Sequence, residues 1–419
     1  MKAGVLMLVG VAAVNVGNYV FHLVAARDLG PSDYGDLVAL LTLSALLGLP
    51  LAALQVVVGR VVAHLTALGR HHEVHVLNRR AAVVTAGFAL AATLVLVVLT
   101  PLLQRVLSIS SATAVVLMAA LTVPAALTPI VWGVAQGLQR FTLLAASMAG
   151  GTAIRVLALF AFVVVGLSTP LAVTATLIGM LASLTLPSVL LRSWFRRDAP
   201  DAGGEARPRL LTGFAPAAVA LLAFTSLTQS DVLAANATFS DTASGIYGAA
   251  SLIGRVILYL PTAIVAVLLP KVAARAAANR STRDILGLSL LITLLFCVAA
   301  AVIYAAAPDL IVRIAFGSKY DGAASLLVPF AVAMTILALL NVLLYYHLGR
   351  GEGLFSWVLG CGAVAQIVAF ALFHQSPRWL IGDTIAVAFL VLVAHESVTQ
   401  QTLVRSLAGA ARAVAGRRP

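Results

Sequence analysis

Arginine is rare inside long apolar runs, so Arg155 and Arg255 are the residues whose chemistry first asks for an explanation. A guanidinium at mid-bilayer depth costs roughly 2.5–3.5 kcal/mol on insertion scales, and such a charge is held there for a substrate, an ion or a structural partner. Its planar fork pairs bidentately with phosphate oxygens, so two such groups at similar depth could hold a diphosphate between them. Arg155 lies about 13 residues into its segment, roughly 20 Å at 1.5 Å per residue, and Arg255 lies about as deep in another. The competing role is structural, with either arginine paired to Asp231 or to helix carbonyls.

Asp231 is the acid to set beside them. A carboxylate in a low dielectric can take up and release a proton or ligate sodium, which makes Asp231 the candidate for coupling to H+ or Na+; the alternative is a salt bridge with an arginine. Asn18, Gln55, Gln229, Asn341 and Gln366 could line a wet cavity and bond hydroxyl-rich cargo, or could tie helices together. Trp132, Tyr259, Tyr345 and Tyr346 offer aromatic faces, with core packing or interfacial anchoring as their ordinary role. Arg60 and Lys271, at matching segment ends, could capture an anion at a substrate entrance, although cationic residues there also serve as topological anchors.

Enzymatic chemistry has little to stand on. The run His71-His72-Glu73-Val74-His75 is rich in ligand types but lacks a defined coordination spacing, so no metal is expected from it. No phosphate-cradling glycine loop, nucleophile elbow or paired carboxylates stand out, so we expect no catalytic residues, no cofactor and no ATP site. Cys297 and Cys361 lie in apolar segments, where a thiol behaves as a small hydrophobe.

The elements that must position these residues follow from composition. Of 419 residues, 61% are hydrophobic and 10% charged, with a mean hydropathy of +1.05, so lipid is the expected solvent. A spanning helix needs about 20 mostly apolar residues. Twelve segments qualify, near 3–26, 36–59, 80–103, 113–137, 142–166, 170–191, 211–236, 244–270, 285–306, 323–348, 354–374 and 379–402. They lack the period-2 alternation of barrel strands. The expectation is therefore an all-α integral membrane protein. The first segment, behind Lys2, is longer than a signal-peptide core and is read as a membrane helix.

The net charge of +12 does not point to nucleic acid, because the basic residues fall on alternate loops. With a cytoplasmic N-terminus, the inner side holds twenty of the 27 and the outer loops five. That bias predicts a multi-pass protein with both termini cytoplasmic, and the expected location is the plasma (inner) membrane. The longest loop, with Pro200, Gly203, Gly204 and Pro208, divides the chain near its middle. The expected organisation is a six-helix lobe at 1–192, a cytoplasmic linker at 193–210, a second six-helix lobe at 211–402 and a basic tail at 403–419.

The halves look related. Asn18 and Asp231 are offset by 213 residues, as are Tyr34-Gly35 and Tyr247-Gly248. Pro50 and Pro261 are offset by 211, as are Arg60 and Lys271, and Arg140 and Arg350 by 210. Six helices per half is an even number, so the repeats share one orientation, and a central cavity between them is the natural place for cargo.

The stretches Arg27-Asp-Leu-Gly-Pro-Ser-Asp-Tyr-Gly35, Gln229-Ser-Asp231, Ser244-Gly-Ile-Tyr-Gly248, Gly254-Arg255, Leu260-Pro261-Thr262-Ala263, Pro270-Lys271 and Phe316-Gly-Ser-Lys-Tyr320 resemble the polysaccharide-type flippases of the multidrug/oligosaccharidyl-lipid/polysaccharide exporter (MOP) superfamily. The resemblance implies two MATE-like six-helix lobes around a central cavity. It also implies alternating-access transport of a polyprenyl-pyrophosphate-linked oligosaccharide to the outer leaflet for cell-surface polysaccharide synthesis. A drug or organic-ion antiporter of the same superfamily is the alternative, though cationic cargo favours an acidic cavity. A membrane-embedded glycan-processing enzyme is a more distant one, lacking an acid/base cluster.

Overall fold

A backbone surrounded by hydrocarbon has no water to bond, so each spanning segment must satisfy its own amides, and the long apolar runs do so as helices. The computed structural model describes residues 2–195, 214–259 and 281–398, with positions 268, 272 and 275. It divides into two compact units, Met1–Phe214 and Ala215–Pro419.

The first unit contains α1 (Lys2–Ala67), α2 (His71–Val98), the short α3 (Thr100–Val106), α4 (Ala112–Gly137), α5 (Phe141–Val165) and α6 (Thr169–Leu190). Helix α1 is two rods meeting at Gly30, whose φ of 77° and ψ of 174° suit a residue without a Cβ. The junction is thus one residue long, and Tyr34, Gly35 and Asp36 are already helical. The first half of α1 packs on α5, α5 on α6, and α1 and α2 on α4. Ser111 caps α4, its Oγ accepting from the Ala114 amide at 3.3 Å.

The second unit contains α7 (Phe214–Thr238), α8 (Asp241–Tyr259), α9 (Arg283–Ala306), the short α10 (Pro308–Ala315), α11 (Ala324–Arg350), α12 (Leu354–Leu372) and α13 (Pro377–Val398). Helix α11 is its hub, packed against α8, α9 and α13, with Leu327, Phe330, Met334 and Leu337 in the core. Counting the rods of α1 separately, each unit supplies six long helices among the described residues, as expected from the apolar segments. Nine helices among the described residues are individually long and apolar enough to cross a membrane. Their outward surfaces suit only lipid: Phe88, Val98 and Val164 are 75%, 77% and 86% exposed.

The repeat shows in the packing of each unit. Tyr34 and Tyr247 are both buried, and each hydroxyl reaches back to the preceding helix, to His22 Nδ1 at 3.2 Å and to Asp231 Oδ2 at 3.1 Å. The region assigned to the linker begins as a 3₁₀ turn over Arg192–Phe195, and the Trp194 carbonyl accepts from Asn78 Nδ2 on α2 at 3.4 Å. The remainder of that linker, Pro261, Lys271 and the tail at 403–419 lie outside the described residues.

Candidate functional site

Arg155 projects from the middle of α5, and two glycines make room for it. A Cβ on Gly179 of α6 would fall 2.5 Å from the Arg155 Cβ, so the base of the arginine fits only because position 179 has no side chain. On the other side, a Cβ on Gly17 would fall 2.5 Å from Thr152 Cγ2, so its absence lets α1 approach α5. The next residue, Asn18, then accepts from Arg155 Nη1 at 3.0 Å. The guanidinium carbon sits 3.6 Å from the centroid of the Phe21 ring, a cation–π contact one helical turn along α1. Both partners are neutral. The Arg155 Nε is buried with no hydrogen-bond partner among the described residues, while the side chain as a whole is half-buried. Arg155 is therefore a mid-span cation whose hydrogen-bonding capacity is only partly used.

Arg255 is in the opposite condition. It is buried in α8, donating from Nε to the Thr228 carbonyl at 2.9 Å and from Nη2 to Asp231 Oδ1 at 2.8 Å. The second Asp231 oxygen accepts from the Tyr247 hydroxyl. Carboxylate and guanidinium are both almost inaccessible, at 2% and 6% for their side chains. Such a pair is held by mutual compensation, and removing one partner strands the other at a cost of about 3–5 kcal/mol. Asp383 on α13 is within electrostatic reach of Tyr247, and its Oδ2 is buried without a hydrogen-bond partner among the described residues.

The polar side chains divide between these two settings. Gln366 is fully buried and donates to the Leu227 carbonyl at 3.0 Å and to Ser230 Oγ at 3.4 Å, tying α12 to α7 beside Asp231. Gln55 donates to Gln136 at 3.2 Å, joining α1 and α4. Asn341 is buried in α11, Gln229 is half-buried and Arg60 is exposed. Trp132 donates to Ser147 Oγ at 2.9 Å, and Tyr346 is buried against Thr282 at 2.6 Å, so both serve packing. Tyr259 is exposed. In the histidine-rich run, His71 and His75 pack edgewise on Trp194 and Glu73 pairs with Arg70.

No family model matches the sequence, and no curated protein matches it significantly. Solved structures do. An inward-facing multidrug resistance MATE family transporter of the MOP superfamily superposes with a TM-score of 0.77 at 12% identity, covering 97% of this chain and 96% of that one. The lipid II flippase MurJ, in an inward closed conformation, gives a TM-score of 0.74 at 13% identity over 97% and 91%. A MOP superfamily transporter from Pyrococcus furiosus, in which reverse polarity of the binding pocket suggests a different function, gives 0.60 at 15% identity over 93% of each chain. The chain shares the fold of these transporters.

Within this fold, sequence reasoning overlooked three buried groups. Asp383 is one of two acids, with Glu396, in the last apolar segment, and its charge was the available signal. Asp36 accepts from the Ser110 amide at 3.0 Å and hydroxyl at 2.8 Å, bracing the loop before α4. His347 and His395, 48 residues apart, meet inside the second unit.

Proposed function

We propose that the chain moves a polyprenyl-pyrophosphate-linked oligosaccharide from the inner to the outer leaflet by alternating access, in the plasma (inner) membrane with both termini cytoplasmic. The observation that carries this reading is Arg155: a mid-span guanidinium whose partners among the described residues are an amide and an aromatic ring, with donor capacity left over. An anionic headgroup supplies the charge that Asn18 and Phe21 do not. Arg60 and Lys271 guide the anion toward its site, and Asn18, Gln229 and Asn341 offer hydrogen bonds to cargo hydroxyls.

Asp231 couples transport to an ion. In the paired state it occupies Arg255, so that arginine is closed to cargo. Arrival of H+ or Na+ neutralises the carboxylate, weakens the ion pair and frees the Arg255 fork for the pyrophosphate. Cation and anionic cargo then favour one another's binding, as coupled sites must.

The test is binding of a short-chain prenyl diphosphate to the purified full-length chain in nanodiscs. Arg155→Gln should weaken binding about 10- to 100-fold, the loss expected for one or two charge-assisted hydrogen bonds. Asp231→Asn, which leaves Arg255 without its counter-charge, should strengthen it and remove its dependence on the coupling ion. Equal affinity in all three proteins would overturn the assignment. A second reading, an ion-coupled exporter of organic cations, draws on Asp383, whose Oδ2 has no hydrogen-bond partner among the described residues. It requires Asp383→Asn to abolish binding of a lipophilic cation while prenyl diphosphate does not bind at all.

A further inference from the structure

His347 on α11 and His395 on α13 are buried, 4% and 0% exposed, and their Nε2 atoms lie 2.9 Å apart. The other face of His347 is equally constrained. Its Nδ1 is 2.7 Å from Glu352 Oε2, and the second Glu352 oxygen accepts from Arg350 Nε at 2.6 Å. The backbone delivers that carboxylate: α11 ends at Gly351 in the left-handed conformation, φ 73°, and the Glu352 amide donates back to the His347 carbonyl at 3.0 Å. Phe355 of α12 packs against both imidazoles, tilted on His347 and edgewise on His395, at 5.0 and 5.1 Å between centroids, which walls the pair with apolar surface. Glu352 itself is 40% exposed and so connects the buried pair to water.

The titratable and charged groups facing the pair come from several elements. Helix α11 supplies Tyr346 and Arg350, and the turn after it supplies Glu352. Helix α13 supplies His395, with Glu396 next in sequence; α12 supplies Phe355; the start of α9 supplies Thr282, whose hydroxyl accepts from Arg350 Nη1 at 3.3 Å. Partial burial alone would raise the Glu352 carboxyl, but hydrogen bonds from Arg350 and His347 outweigh it and hold it below the ordinary glutamate range. Glu352 is therefore an acceptor at neutral pH.

Proton counting then defines the pair. With Glu352 ionised, His347 carries its proton on Nδ1 and presents a bare Nε2, to which His395 donates Nε2–H. One added proton is accommodated without loss of contact: it binds His347 Nε2, the His395 proton sits on Nδ1, and the bond between the rings reverses direction. The resulting imidazolium is neutralised by Glu352. While Glu352 stays ionised, a second proton on the rings has no such arrangement. It places two N–H groups and two positive charges face to face at 2.9 Å, and the rings must separate.

We propose that His347, His395 and Glu352 form a one-proton binding site that fastens the C-terminal end of α11 to α13, holding with no proton or one and opening when a second arrives. Its ligand is the proton, entering through Glu352, and its output is the contact between the two helices. The site shares no residue with the settings of Arg155, Arg255 and Asp231 and does not depend on the cargo proposed above.

The experiment follows ¹⁵N-labelled histidine in the full-length chain in nanodiscs from pH 8 to pH 4.5, with hydrogen exchange of the peptides covering 341–352 and 388–397 corrected for intrinsic rates. Two linked titration steps are expected, and exchange of both peptides should accelerate at least tenfold only across the second. His395→Gln retains an N–H for His347 Nε2 and should abolish both the second step and the acceleration. Glu352→Gln, a change at a half-exposed turn that need not disturb folding, should move the first step to lower pH by removing the counter-charge. Two histidines titrating independently at ordinary imidazole values, a first step unmoved in Glu352→Gln, or the same acceleration in His395→Gln would each overturn the proposal.

Discussion

Asn18 and Asp231 stand 213 residues apart at one position of the internal repeat, and each accepts a guanidinium, at 3.0 Å from Arg155 and at 2.8 Å from Arg255. The arginines come from different helices, the fifth long helix of the first unit and the second of the other, so the repeat has kept the acceptor position and changed the donor. It has also changed the charge balance. An amide leaves Arg155 positive, whereas a carboxylate cancels Arg255. The proposed anion site and the proposed ion-coupling site are these two outcomes of one position.

Asn18→Asp should convert the first outcome into the second. The new carboxylate would pair with Arg155 where the amide now sits, leaving the melting temperature within a few degrees of the parent because a counter-charge is added to a charge already present. Binding of prenyl diphosphate should fall at least tenfold. Retained affinity in a folded Asn18→Asp protein would show that Arg155 does not meet the cargo.

The Asp231–Arg255 pair should behave as a unit in a double-mutant cycle. Asp231→Ala and Arg255→Ala should each destabilise by about 3–5 kcal/mol, since each strands a buried charge, and the double variant should cost markedly less than their sum. Tyr247→Phe removes one hydrogen bond to the same carboxylate and should cost about 1 kcal/mol. Thermal unfolding in detergent measures all four, and additive effects would argue against the pairing.

The close approach that brings Asn18 to Arg155 can be tested by crowding and relief. A methyl at position 17 meets Thr152 Cγ2 at 2.5 Å, and its next contact, Thr152 Cβ, is at an ordinary 3.7 Å. Gly17→Ala should therefore cost about 1–3 kcal/mol, the range for overpacking, and adding Thr152→Ala should recover most of it. Failure of the second change to rescue the first would show that α1 and α5 are not so closely packed.

Glu352 sets the pH dependence of the His347 turn. Its carboxyl titrates lower in the folded chain than the ordinary 4.5, so the stabilisation from its partners is complete above that value and is lost as pH falls through the lower folded one. Because the side chain is 40% exposed, the effect is screened and should not exceed about 1 kcal/mol. Melting temperatures of the wild type and Glu352→Gln should differ at pH 6 and converge toward pH 3; a constant difference would contradict the shift.

Much of this was legible before any coordinates, for physical reasons that also mark where legibility ended. The apolar lengths dictate helices because lipid leaves the backbone few alternatives, and the single-residue break at Gly30 lies between the first two apolar segments. Asp231 and Arg255 stood out as charges in apolar runs, with mutual pairing already among the alternatives. The choice of partner was not legible, because Asn18 and Arg155 are 137 residues apart and meet only through a glycine-mediated crossing. His347 and His395 carried still less signal: a histidine in an apolar helix is ordinary until its neighbour 48 residues away is known. The clustered His71, His72 and His75 drew attention by adjacency alone, yet two of those rings pack on Trp194.

The most direct measurement is translocation of a fluorescent polyprenyl-pyrophosphate oligosaccharide in liposomes containing the purified chain, with outer-leaflet arrival scored by quenching. The account predicts that the wild type moves the lipid. Arg155→Gln should slow this at least tenfold at unchanged protein stability, and Asp231→Asn should abolish the response to an imposed H+ or Na+ gradient. Translocation at the wild-type rate in a stable Arg155→Gln protein, still driven by the gradient in Asp231→Asn, would contradict it.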